Sequence, residues 1–148
     1  MITDSQIEQY NQEGYTIVEN VFSEDELMLV LGEFEEIVDQ FAEKAFKAGK
    51  IKDKHSDENV FRRLALLEKN FKGSSVLIHH KGELKPQLAK LWASEKLLDI
   101  VENWVGQDIS GHPVWNIRSK TPQTVRMTVP WHQDSAYLAT GAEKTIQP

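Results

Sequence analysis

The 148-residue chain contains no cysteine. That absence removes disulfides, thiolate zinc sites and thiol nucleophiles together. Any metal bound here must be held by imidazole and carboxylate. A basic footprint is missing as well: 23 Asp and Glu face 17 Lys and Arg, for a net charge of -6. A phosphate backbone needs clustered positive charge, so nucleic acid is not an expected partner. No 18-residue apolar run occurs, and the opening MITDSQIEQY is polar and acidic, without a basic stretch leading into an apolar one. A soluble, cytoplasmic protein with no membrane role is therefore expected. There is no repeat and no linker. With 40% apolar residues the chain suits one domain with a real core.

What is present begins with helix signals. TDSQ at Thr3 to Gln6 fits a capping box, Ile7 and Tyr10 would share a helical face, and Gly14 is a stop. YTIVENVF at Tyr15 to Phe22 alternates in part and is rich in strand formers, which predicts one strand. A second capping box, SEDE at Ser23 to Glu26, then opens a long amphipathic helix. Its apolar stripe runs Leu27, Val30, Leu31, Phe34, Ile37, Val38, Phe41 and Ala45, and Gly49 ends it. Such a stripe is read as core packing rather than as a cofactor box.

Lys50 to Asn59, KIKDKHSDEN, reads as a charged, solvated loop, with a flap beside a pocket as the alternative. VFRRLALLEKNF and SSVLIHH read as a short helix and a strand. A further short helix is predicted over Pro86 to Ala93. Ser94 should cap another, with Leu97, Leu98, Val101, Trp104 and Val105 as its buried stripe and Gly106 as its stop. From Asp108 the texture changes to Val, Ile, Thr and Trp, with a turn at Pro122 and Gln123. Helices first and sheet second is an α+β order.

The chemistry gathers in that second part, in VPWHQDSAYL at Val129 to Leu138. Residues i and i+2 of a strand share a face, so His132 and Asp134 would project side by side while Gln133 points away. An imidazole and a carboxylate so placed suit two positions of the two-histidine, one-carboxylate facial triad that holds Fe(II). Spacing alone is weak, because His55 and Asp57 repeat it in the charged loop, where no strand sets a common face. His79 and His80 are adjacent and would face opposite ways on a strand. His112 reads as a core or substrate-facing residue.

WHQDSAYL, preceded by NIRSKTP and by a helix ending in WVG, resembles the phytanoyl-CoA dioxygenase family of Fe(II)- and 2-oxoglutarate-dependent oxygenases. QEGYTIVENVFSEDEL is similar to that family's opening of short helix, strand and long helix, and the resemblance runs through nearly the whole chain. It implies amino-terminal helices followed by the first strands of a double-stranded β-helix of the jelly-roll or cupin type. The helical part would run to about residue 106 and the β core would start at about 107, in a single domain over 1–148.

The resemblance further implies His132 and Asp134 as the first two iron ligands, with no catalytic residue beyond the ligands. Lys120 matches the family's lysine near 2-oxoglutarate, the alternative being an ordinary surface lysine. Asn116 falls where the family lines the cosubstrate pocket. Gln133 flanks the ligands on the cosubstrate side and Tyr137 on the substrate side. The family's third ligand is a downstream histidine, followed by an arginine for the distal carboxylate of 2-oxoglutarate. No histidine or arginine follows Asp134 here. The expectation is therefore a truncated, amino-terminal half of a dioxygenase acting on a small-molecule or acyl substrate. Uncovered strand edges would favour self-association. The rival expectation is a non-catalytic relic or interaction module of the same fold.

Overall fold

The computed structural model describes residues 2–79, 84–111, 117–122 and 130. Six helices stand within them: α1 (Asp4–Glu13), α2 (Glu24–Lys47), α3 (Val60–Asn70), α4 (Ser74–His79), α5 (Pro86–Trp92) and α6 (Glu95–Val105).

The first two helices begin as their local chemistry dictates. Thr3 accepts from the Gln6 amide at 3.3 Å while Gln6 Oε1 accepts from the Thr3 amide at 3.0 Å. Ser23 and Glu26 repeat the exchange at 3.3 and 2.7 Å. Each box satisfies two amides that a helix start leaves without carbonyl partners. Gly14 closes α1 at φ +81°, in the left-handed region that a Cβ disfavours, with its amide on the Tyr10 carbonyl at 2.8 Å.

The strand expected over residues 15–22 does not form within the described residues. The segment folds back on α1, where Gln6 Nε2 donates to the Ile17 carbonyl at 2.7 Å and Thr16 Oγ1 to Gln9 Oε1 at 3.1 Å. Asn20 at φ +58° then breaks the extended run before α2. Burial alternates along it: Thr16 and Val18 are half-buried, while Tyr15 and Ile17 are exposed.

The core lies between the carboxyl-terminal two-thirds of α2 and the pair α3 and α4. Ile37, Val38, Ala42 and Ala45 of α2 meet Ile51, Val60, Leu67 and Ile78, and Leu31, Phe34, Phe41, Leu64, Phe71 and Ile117 close round them. Phe41 and Phe71 stack with centroids 6.4 Å apart. Leu27, expected at the head of the buried stripe, is 48% exposed, as are its neighbours Met28 and Leu29 to similar degree. The stripe continues along α2, but its packing partners α3 and α4 reach only the later turns.

SSVLIH is a helix and not the expected strand. The Glu68 carboxylate accepts from the amides of Gly73 and Ser75, each at 2.8 Å, and from Ser75 Oγ at 2.9 Å. It thereby caps a new helix start with negative charge at the amide end. Ser74 Oγ donates back to the carbonyls of Leu67 and Phe71, at 3.3 and 2.6 Å. Two serines thus satisfy the junction's polar groups while themselves fully buried. These bonds outweigh the strand preference of Val76 and Ile78.

The charged loop is anchored rather than loosely solvated. Ile51 is buried in the core, and Arg63, itself buried, donates through Nε to the Lys54 carbonyl at 2.8 Å and through Nη1 to Asp39. Lys54 Nζ bonds Glu43 at 3.0 Å. Asn59 caps α3 by accepting from the Arg62 amide at 3.1 Å.

α5 and α6 are held largely by α2 carboxylates. Lys85 stands at the α5 cap position and offers no side-chain acceptor, so Glu33 supplies it, accepting from Gln87 and Leu88 amides at 2.8 and 2.9 Å. Lys85 Nζ bonds Glu36 at 3.0 Å, and Lys96 Nζ grips both oxygens of Glu26 at 2.8 and 2.7 Å. The stripe expected to be buried on α6 is half-buried throughout. Trp104 meets Tyr10 of α1 at 4.5 Å between centroids. Ser94 occupies the α6 cap position as expected, yet its hydroxyl makes no capping bond.

Candidate functional site

His132, Gln133, Asp134, Tyr137 and Asn116, and with them His80 and His112, lie outside the described residues. Lys120 lies within them. It belongs to the short described run 117–122, whose first residue is tied to the helical core in two ways. The Ile117 side chain packs against the core cluster, and the Ile117 carbonyl lies 3.0 Å from Nδ1 of His79, the last residue of α4. A carbonyl can only accept, so Nδ1 carries the proton and donates. Arg118 and Lys120 are exposed and Ser119 is half-buried. Lys120 has no ion-pair partner among the described residues, which leaves its ammonium available to an anionic group.

The competing pair in the charged loop separates. Asp57 is exposed, and His55 turns instead to Asp53 and Asn70. Its Nδ1 is 3.4 Å from Asp53 Oδ2 and its Nε2 is 2.7 Å from Asn70 Nδ2. The Asp53 carboxylate also accepts from the His55 amide at 2.8 Å, which holds the residue at φ +49°. Both ring nitrogens have protein neighbours, and the i, i+2 spacing with Asp57 has no structural counterpart. Beside this loop, Asp39, Gln40, Glu43, Lys54, Ser56 and Arg63 line an open groove of about 320 Å³. Two acids and two bases line it, and the Lys54–Glu43 and Arg63–Asp39 pairs already join them. Among the described residues no group of three or more His, Asp or Glu side chains could hold a metal ion.

Sequence reasoning passed over His79, because a strand at that position would have turned it away from its neighbour His80. On a helix end it reaches a carbonyl 38 residues along the chain. Nothing in the local sequence signals that bond.

The phytanoyl-CoA dioxygenase (PhyH) family model matches residues 10–147, and the chain belongs to that family. Its members are dioxygenase-type oxidoreductases that generally depend on Fe(II) and 2-oxoglutarate. Comparison with curated proteins and with solved structures gives no match. None of the described helices is long and apolar enough to cross a membrane.

Proposed function

We propose that this chain carries the first two iron ligands and part of the cosubstrate site of an Fe(II)- and 2-oxoglutarate-dependent dioxygenase that hydroxylates a small-molecule or acyl substrate. The observation that carries the reading is the family match over 10–147, which spans both NIRSKTP and WHQDSAYL. The donor set fits the metal: with no cysteine in the chain, an imidazole and a carboxylate two residues apart are the borderline and hard ligands that Fe(II) accepts. The cosubstrate is a dicarboxylate, and an exposed Lys120 without an ion-pair partner among the described residues suits it.

In this reading His132 and Asp134 bind the metal and leave its other positions open. Lys120 holds a carboxylate of the cosubstrate by a charge-assisted bond, and Asn116 and Gln133 line the same pocket. Tyr137 borders the substrate. Iron with 2-oxoglutarate and dioxygen, when bound, supplies the oxidising power to hydroxylate an unactivated C–H bond. A second histidine and an arginine complete such a site, and the proposal concerns the protein in which they join these residues. We place the start of a double-stranded β-helix at about residue 107 in the same reading.

The test is succinate release by the full protein that carries this chain, supplied with Fe(II), 2-oxoglutarate, dioxygen and candidate substrates. His132→Ala and Asp134→Ala should each abolish it, and His55→Ala and Asp57→Ala should leave it unchanged. Lys120→Ala should raise the 2-oxoglutarate requirement by about 1 to 3 kcal/mol of lost charge-assisted hydrogen bonding. Equal loss from the loop pair, or turnover indifferent to His132, would overturn the assignment.

A further inference from the structure

We propose that His79 is a positioning residue for the cosubstrate site, acting through the main chain of the segment that bears Lys120. The inference rests on the reading of Lys120 given above. Its structural half stands by itself.

The helix α4 has six residues and is too short to be stable alone. It is rigid because its surroundings make it so. Glu68 caps its amide end, Ser74 and Ser75 are fully buried at the junction with α3, and Ile78 is 3% exposed in the core. His79 follows Ile78 directly and ends the helix, so the base of its side chain is set by a core residue. From there Nδ1 donates to the Ile117 carbonyl at 3.0 Å. Ile117 is held a second time, by its own side chain against the core cluster.

Two anchors on one residue, one at its carbonyl and one at its side chain, restrict both its translation and its rotation about the chain. Lys120 lies three residues on, at most about 10 Å of extended backbone. Its Cα is therefore confined to a region set by that anchor, and loss of the anchor would enlarge the space its side chain starts from. The contact of the Lys120 ammonium with a carboxylate depends on that starting point, because a charge-assisted bond weakens steeply once donor and acceptor part. His79 does not need to touch the cosubstrate for this.

Two substitutions separate the hydrogen bond from the bulk of the ring. His79→Phe keeps an aromatic ring and removes the donor, while His79→Asn offers an amide N–H with a reach close to that of Nδ1. In amide NMR relaxation on the 148-residue chain, His79→Phe should lower the order parameters of the Arg118, Ser119, Lys120 and Thr121 amides, and His79→Asn should raise them again. In the full protein, His79→Phe should raise KM for 2-oxoglutarate about two- to tenfold, the worth of one hydrogen bond. Its kcat should stay within about twofold, and Asn should return KM toward the starting value.

Unchanged order parameters in His79→Phe would remove the latch, whatever the protein's activity. Lowered order parameters with KM unmoved, or KM raised equally by Phe and Asn, would leave His79 a packing residue and overturn the positioning role. If the unsubstituted protein releases no succinate, the dioxygenase reading fails and the positioning role fails with it. The relaxation result then reports on the latch alone.

Discussion

Two regions of this molecule are held together by different forces. Where α2 meets α3 and α4, Leu67 and Ala42 are fully buried and Ile37 nearly so, and aromatic rings stack across the junction. α1, α5 and α6 contain no fully buried residue. Carboxylates projecting from α2, namely Glu26, Glu33 and Glu36, bind Lys96, the α5 amides and Lys85. Half-buried stripes and the contact of Tyr10 with Trp104 do the rest. The first region is stabilised by apolar area removed from water, which ionic screening does not weaken. The second leans on polar and ionic bonds near the surface, each of which is small and partly screened.

The largest expected effect tests the buried region. Leu67→Ala should destabilise the fold by about 2 to 5 kcal/mol through lost burial and a residual cavity. Leu97→Ala on the half-buried α6 stripe should cost less than half as much. Urea unfolding of both variants measures the ratio, and equal losses would erase the distinction drawn between the regions.

An intermediate effect is expected from the cap that one helix supplies to another. Glu33→Ala removes the acceptor for the Gln87 and Leu88 amides and should cost about 1 kcal/mol. The loss should show as faster hydrogen exchange in α5 with α3 and α4 unaffected. Faster exchange in α3 as well would mean that the two regions unfold as one unit.

The smallest effect belongs to the Lys96–Glu26 pair, both of whose side chains are substantially exposed. The hydrogen bond from Lys96 first, and then those from Ser23, hold the Glu26 carboxyl down at about 2 from its ordinary 4.5. A carboxylate depressed in the folded state stabilises above its unfolded pKa, and that contribution drains away as pH falls through the folded one. The shift in melting temperature caused by Lys96→Ala should therefore be present at pH 7, shrink between about pH 4.5 and about pH 2, and diminish in high salt. A shift that persists at pH 2 would point to lost packing of the lysine stem.

The same divide, between near and distant partners, separates what the residues alone reveal from what they conceal. Both capping boxes, the glycine stops at Gly14 and Gly106, and the α2 stripe from Val30 onward are legible, because the groups that interact lie within four residues of one another. Illegible were the exposure of Leu27, the failure of residues 15–22 to form a strand, and the anchoring of the charged loop by Arg63. Each depends on a partner far along the chain. The family was legible through WHQDSAYL and NIRSKTP, and the match over 10–147 agrees with it. Of the residues singled out for the site, Lys120 alone falls within the described part, and the ligand roles of His132 and Asp134 stand on the family pattern and on donor chemistry.

By itself the sequence determined the starts and stops of the principal helices, the chemistry open to a chain without cysteine, and the family. These follow from local hydrogen bonding, from periodicity and from the identity of side chains, none of which needs a distant neighbour. Only the tertiary structure decided that SSVLIH is a helix, that Glu33 caps α5, and that His79 holds the carbonyl of Ile117. The physical reason is common to all three. A buried polar group must find a partner, and which partner it finds is settled by elements brought together in space, at separations over which sequence carries no periodic trace.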